Sequence, residues 1–333
     1  MAKVIGQPVG IVALPSHTRG RISCRYAPRH ASHLQRLTFG VRTFQMSLSA
    51  VASIDIERRI WRVVRFLARC AMRPSLSFSW ISAIYSSQLS EFIHANPRIL
   101  LKPYRHYICR HFSFAQRVDA ILGHYEMATE RMSAPIAHGL LAGSAFTVAQ
   151  IVGKPGAERY NVTLVKTGKY DREGELCLSL CDDASGTIIY RLICSLGWRG
   201  RLPCITIGCM QGERHPDAKS LIKQATKAMH GIRPGNLLVD AAYALANACG
   251  VVRVLGVANE AQVFQGDKVH FNYDAFWSEL GGIADGIGFY VLPEEPKHGS
   301  SGRERRHRAE YQRRSALREH LDEQIHSWAA SNN

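Results

Sequence analysis

The sequence predicts an α+β protein: a mixed, largely antiparallel sheet flanked by helices, with a helical N-terminal subregion. Three observations predict it. Within residues 145–210 the apolar pattern takes a strand period and gives YNVTLVKTG, GELCLSLC, TIIYRLICSLGW and CITIGCM, with GKYDREG and DDASG as turns between the first three. That spacing is an antiparallel meander, because parallel neighbours would need long crossovers. Residues 230–264 then read as a loop, a helix, a buried strand and a short helical turn. Residues 54–130 carry helical patterns in several pieces.

The elements follow in order. Residues 1–45 hold no Asp or Glu and show no periodic apolar pattern. They resemble an import presequence, and two further readings stay open: a disordered basic arm, or a start assigned too early, with Met46 the true beginning. Residues 54–71, IDIERRIWRVVRFLARCA, form a basic amphipathic helix. Ile56, Ile60, Val63 and Leu67 make an apolar stripe beside Trp61 and Val64, and Arg58, Arg62, Arg65 and Arg69 make a second stripe. Either the apolar stripe packs inward, or the helix lies on an anionic membrane surface. Between 95 and 126, arginines and Lys102 alternate with Tyr104, Tyr107, Phe112 and Phe114. Such a pattern can bind single-stranded nucleic acid. It is better read as cations stacked over the domain's own aromatics.

Residues 132–152 carry no Asp, Glu, Lys or Arg, but Pro135, His138, Gly139, Gly143, Ser144, Thr147 and Gln150 lower their hydropathy. They read as buried loop, helix and strand instead of a membrane span. Asp217–Met229 is a helix. Pro234 starts the next one, with Asn236 as its cap, and Gly250 ends it. Val251–Val257 is a strand covered on both sides. A helix follows near Phe276 and Trp277, with Asp274 as its cap, and GIGFYVLP is a last strand. Residues 297–333 read as a charged tail, a solvated or partly disordered helix. The divisions are therefore 1–45, a helical subregion over 46–140, a core over 141–293 and the tail.

Composition limits the function. The 333 residues carry a net charge of +15, which favours acidic partners, but seven basic residues before Asp55 supply nearly half of it. Nucleic acid is thus not expected as a partner of the core. Nine scattered cysteines without a CxxC pair suit a reducing cytoplasm and no metal site. A loop that opens a helix presents free N–H groups to an anion. Lys227, Gly231, Arg233, Gly235 and Asn236 are the candidate residues at that point.

Two resemblances add to this. NPRILLKPYRHYI at 96–108, YDREGELCLSL at 170–180, ATKAMHGIRPGNLL and HFNYDAFWSELGG occur in an order that resembles the VirK/YbjX family of bacterial proteins. The resemblance covers roughly 60–293. It implies a setting in envelope integrity, virulence, stress response and resistance to host antimicrobial peptides, without an assigned activity. LLVDAAYALANACGVVRVLGVANEAQVF is similar to the acyl-CoA-binding pattern of the GNAT acyltransferase superfamily, through Leu237, Leu238, Ala241, Gly250, Leu255, Val257, Asn259 and Phe264. That resemblance implies a GNAT-like sheet, acyl-CoA as the cofactor and Asn259 among its contacts. The loop departs from the glycine-rich pattern: Pro234 removes one donor, and Arg233 offers charged ones instead.

Acyl transfer needs a base for the nucleophile and an acid for the leaving thiolate. Glu175 is a candidate base, Tyr273 a candidate acid, and His270 or Glu279 an alternative base. The plain reading of Glu175 is a pair with Lys169 or Arg191 across the hairpin. The expectation is a cytoplasmic protein, either a CoA-dependent acyltransferase with an envelope-related acceptor, or an accessory factor docked on the inner membrane surface through residues 56–70.

Overall fold

A computed structural model describes residues 33–54, 57, 59–93, 96–214, 216–266, 271–296 and 308–331. The helical subregion comes first: α1 (His33–Ala52), α2 (Arg59–Met72), α3 (Pro74–Tyr85), two short 3₁₀ segments (Gln88–Phe92 and Pro97–Tyr104), α4 (Phe114–Arg131) and α5 (Ala134–Ala142). Ser113 caps α4 through its hydroxyl, and the Gln116 side chain returns the bond to the Ser113 N–H. The left-handed Gly143 ends α5.

The sheet has eight strands in the order β1-β2-β3-β4-β5-β6-β8-β7. They are β1 (Phe146–Val152), β2 (Arg159–Lys166), β3 (Leu176–Asp182), β4 (Ile188–Arg199), β5 (Leu202–Gly212), β6 (Arg253–Val257), β7 (Ile283–Ala284) and β8 (Phe289–Val291). Strands β2 to β5 form the expected antiparallel meander, and β1 extends it by pairing antiparallel with β2. The helices α6 (Ala218–Ala228) and α7 (Pro234–Ala248) then carry the chain to β6, which runs parallel to β5. Strands β8 and β7 complete the sheet antiparallel to β6 and to each other. This is the mixed, mostly antiparallel α+β architecture that the patterns predict.

Alternate residues explain the layers. Leu176, Leu178 and Leu180 of β3 face the main core with Val162, Leu164, Leu192, Ile205 and Ile207. Helix α7 lies on this core and is buried almost throughout, including Leu237, Leu238, Ala241, Ala242 and Leu245. Its first residue is Pro234, as expected, but its N-cap is Arg233, and Asn236 stands inside the first turn. Gly250 takes the left-handed conformation that follows the helix (φ 61°).

Four expectations need correction. The acid-free region read as 1–45 is helical from His33, and Met46 lies in the middle of α1. Thr43 and Ser47 are buried there because each hydroxyl bonds to a carbonyl of its own helix, so polar residues escape an apolar-period test. The charged tail is not solvated along its length. Helix α9 (Arg308–Ser331) buries Leu317, Leu321 and Ile325, and Arg318 pairs with Asp240 of α7 at 2.9 Å. Asp274 does not cap the helix α8 (Tyr273–Glu279): the Asn272 side chain does, and Asp274 accepts from the Asn259 N–H instead.

The fourth correction concerns α2. Its buried face is Phe66 and Cys70, held by Phe44 and Tyr104 at ring distances of 6.4 and 6.0 Å. Val63 is half-buried, but the rest of the described apolar stripe points outward: Ile60 is 79% exposed, Trp61 60%, Val64 49% and Leu67 39%. The placement of Ile56 and Arg58 lies outside the described residues.

Candidate functional site

Glu175 is the best-defined polar centre of the molecule. It precedes β3 and is completely buried. Its Oε1 accepts from Lys102 Nζ at 2.5 Å and from the Tyr107 hydroxyl at 2.7 Å; its Oε2 accepts from the Tyr125 hydroxyl at 2.7 Å. Burial pushes the Glu175 carboxyl up, but Lys102 and the hydroxyl donors outweigh it and hold the group below the usual carboxylate range. The partner is thus Lys102, not Lys169 or Arg191; Arg191 pairs with Glu213.

The local folding explains how four elements reach one carboxylate. Lys102 lies at the end of the apolar run Ile99–Leu101 in the second 3₁₀ segment. Four residues after Tyr104 the chain turns sharply, where Ile108 adopts φ 55°, which a β-branched residue rarely does. The Cys109 N–H closes this turn on the Tyr107 carbonyl, and the Ile108 N–H bonds to the Arg172 carbonyl. The strained turn aims Tyr107 at Glu175. On the other side, the Glu175 N–H bonds to the Cys194 carbonyl and the Ser195 hydroxyl, beside a bulge in β4. Gly208 lets the chain cross here, since a Cβ on it would lie 1.9 Å from the Glu173 carbonyl oxygen.

His124 and Lys166 complete the surroundings. His124 Nδ1 accepts from the Leu196 N–H, and burial pulls its pKa down to about 4, so it is neutral at pH 7. Lys166 Nζ lies 5.9 Å from the Tyr125 ring centroid, and burial pulls its pKa down to about 8. Glu173 is also buried, which pushes its carboxyl up to about 7. Its folded pKa lies above the unfolded value, so ionising it costs stability as pH rises from about 4.5 to about 7. Glu173→Gln is therefore expected to raise the melting temperature at pH 8 and leave it unchanged at pH 4, in thermal unfolding followed at both pH values.

The second group of candidates gathers around the end of β5. Pairing between β5 and β6 stops at Ile207 and Gly256, whereas β5 continues to Gly212. Tyr273 fills the gap: its hydroxyl accepts from the Met210 N–H and donates to the Met210 carbonyl, both at 3.1 Å. It replaces the backbone partner that β6 no longer offers. Tyr273→Phe would leave both groups unpaired and is expected to cost about 2 kcal/mol, measured by denaturant unfolding. Asn259 holds the start of α8, where its Oδ1 accepts from the Tyr273 N–H at 2.8 Å. Gly235 is buried close to Met210 and Tyr190. Arg233 and Glu279 face each other at 3.3 Å on the surface. Lys227 is exposed in the last turn of α6, and Asn236 is half-buried. Gly231 (φ 87°) lies against the Arg314 guanidinium, which donates to the His230 carbonyl at 2.7 Å. His270 lies outside the described residues.

The structure therefore brings Tyr273, Asn259, Arg233, Gly235 and Glu279 to one region and puts Glu175 in another. It adds Lys102, Tyr107, His124, Tyr125 and Lys166, which sequence reasoning missed. One signal was available: a lysine inside ILLKP is an unusual residue to follow three buried apolar ones. Lys102 also stands over the Tyr107 ring at 5.5 Å, a cation on the domain's own aromatic. Among the described residues no His, Cys, Asp and Glu group could hold a metal ion, and no helix is long and apolar enough to cross a membrane.

The DUF535 profile, described as a protein of unknown function, matches residues 55–327. The chain belongs to the DUF535 family. The match includes most of α9, which the resemblance over 60–293 left out. Among the relatives of this DUF535 member is the uncharacterized protein YbjX of Escherichia coli, 27% identical over 278 residues that cover 81% of this chain and 83% of YbjX. An uncharacterized protein of Haemophilus influenzae is 27% identical over 168 residues, 49% of this chain and 55% of that protein. A protein of Mannheimia haemolytica named membrane protein LapB is 25% identical over 196 residues, 55% of this chain and 81% of that protein. No solved structure matches the chain.

Proposed function

We propose that this DUF535 member is a peripheral membrane protein that docks on an anionic bilayer surface through α2 and holds its α+β core there. The observation that carries the reading is the outward apolar stripe of α2. At the 3.6-residue period Leu67, Ile60, Val64, Trp61 and Met72 fall on one continuous arc, and all five are exposed. Arg65, Arg69 and Arg62 follow on its flank. An in-plane helix needs that division, apolar residues for the acyl boundary and cations for acidic headgroups. The bilayer is preferred over another protein as the occupant because of this charge and the net charge of +15.

Two further points support it. A relative carries the printed name membrane protein LapB. The eight described cysteines are all free and buried, which fits the reducing side of the inner membrane. The envelope setting implied by the VirK/YbjX resemblance suits such a location. The test is flotation of the full chain with vesicles. Binding to phosphatidylglycerol vesicles that weakens with salt and is absent on phosphatidylcholine is expected; no flotation on either would end the proposal.

A second reading, acyl transfer from a CoA-type donor, is favoured by one observation. Cations outnumber carboxylates at the loop before α7: Arg314 holds the His230 carbonyl and pairs with Glu310, and Lys154 and Arg313 lie near the His230 ring. This is where a diphosphate would meet the start of α7. The thioester would need Tyr273 to leave Met210. Acetyl-CoA and CoA that give no thermal shift, with Arg314→Ala unaltered in the same assay, would remove this reading.

A further inference from the structure

The cations of α2 do not stand alone. Arg62 and Arg69 lie on the helix between its outward apolar arc and the inward Phe66, with Arg65 next to them. The chain after the second 3₁₀ segment is pinned along this side. The Tyr104 ring stands 6.0 Å from the Phe66 ring, and its hydroxyl lies 3.4 Å from Cys70 Sγ. Arg105 follows at once and is half-buried, as Arg69 is. Arg172 reaches the same seam from the turn before β3. Its guanidinium donates to the His106 carbonyl at 3.3 Å and stacks on the Phe264 ring at 4.4 Å.

Like charges gather in this seam without acceptors. Burial holds Arg69 and Arg105 below the usual guanidinium pKa, and neighbouring guanidiniums add to it. Arg65 and Arg105 act on Arg69, while Arg172, Arg65 and Arg62 act on Arg105 against a partial offset from Asp171. Arg117 and Arg172 find the carbonyls of Pro103, His106 and Val263. The side chains of Arg65, Arg69 and Arg105, by contrast, make no hydrogen bond or ion pair among the described residues. A guanidinium has five donors in a fixed fork, and half-desolvated ones gain from an anion with several acceptor oxygens.

We propose that the seam between α2 and Arg105 binds the terminal phosphate of a phosphomonoester lipid, with Arg65, Arg69 and Arg105 on its oxygens and the acyl chains beside Trp61 and Val64. A phosphomonoester presents three terminal oxygens and about two charges, which three unmatched guanidiniums can meet. A phosphodiester headgroup has fewer free oxygens and less charge. The exposed apolar arc next to the arginines selects a lipid over a soluble phosphate. The inference rests on docking through α2 and adds a headgroup preference to it.

The test is flotation of the full chain with phosphatidylcholine vesicles that carry phosphatidate or phosphatidylglycerol, adjusted to equal surface charge. Phosphatidate vesicles are expected to bind about tenfold more tightly. Arg105→Gln should erase the difference between the two lipids. Arg105→Lys keeps the charge but not the planar fork, and it should lose most of the preference as well. Arg69→Gln, checked by its melting temperature, should behave as Arg105→Gln does and decides the matter if that variant does not fold. Equal binding to both vesicles, or a preference that persists in Arg105→Gln or Arg69→Gln, would overturn the headgroup site and leave docking through α2 in place. Glycerol phosphate that binds as tightly as the vesicles would overturn the lipid assignment. Flotation on neither lipid would instead remove the docking itself, and the site with it.

Discussion

Lys102→Met is expected to destabilise the protein by about 3–5 kcal/mol at pH 7, because it leaves the Glu175 carboxylate buried without its cation. In a chain of this size that corresponds to roughly 4–7 °C in melting temperature. The loss should depend on pH. In the wild type Glu175 is held below its unfolded pKa, so its stabilisation is present above that value and disappears as pH falls through the folded one. In the variant, burial dominates and raises the Glu175 pKa, so the carboxyl takes a proton and needs no partner in acid. The difference between variant and wild type should therefore shrink from pH 7 to pH 4. Lys102→Met/Glu175→Gln should recover most of the loss, because the pair is then removed as a unit. Equal losses at both pH values, or a double variant no better than Lys102→Met, would show that Lys102 acts through packing and not through charge.

The second large effect is on membrane binding. Trp61→Glu/Val64→Glu is expected to weaken partition onto anionic vesicles about 100-fold, since a large apolar side chain contributes about 1.5–3 kcal/mol when fully withdrawn from water. Both residues are exposed, so the fold and its melting temperature should not change. Arg62→Glu/Arg65→Glu should weaken binding by a smaller factor that vanishes in high salt, at about 1 kcal/mol per basic residue near the surface. A chain without residues 1–32 should float like the full chain. Flotation lost with that segment, and kept in Trp61→Glu/Val64→Glu, would transfer the docking to the N-terminal segment.

The parts of the fold that can be read from sequence are those in which one residue type decides one local conformation. The meander is legible because Leu176, Leu178 and Leu180 alternate with Cys177, Ser179 and Cys181 between turn residues, and each strand needs only its own pattern. Gly250 and Pro234 mark the ends of α7 for steric reasons that act at a single residue. Helix α2 is legible as a helix but not in its orientation. An amphipathic pattern gives two faces, and the narrow face of Phe66 and Cys70 goes inward because Phe44 and Tyr104 receive it. Such partners lie elsewhere in the chain and leave no periodicity. The Glu175 cluster was half legible for the same reason. Glu175 can be singled out in the sequence as a carboxylate at a strand start, but Lys102 stands 73 residues away, and only folding brings them to 2.5 Å.

The claim that most depends on the outward face of α2 is insertion of Trp61 into the bilayer. Vesicles of anionic lipid with brominated acyl chains quench tryptophan that reaches the hydrocarbon. Binding of the wild type to them should lower its emission, and Trp61→Phe, with the other tryptophans in place, should bind but lose the quenching. Quenching that persists unchanged in Trp61→Phe, or binding without any quenching, would contradict docking through this helix.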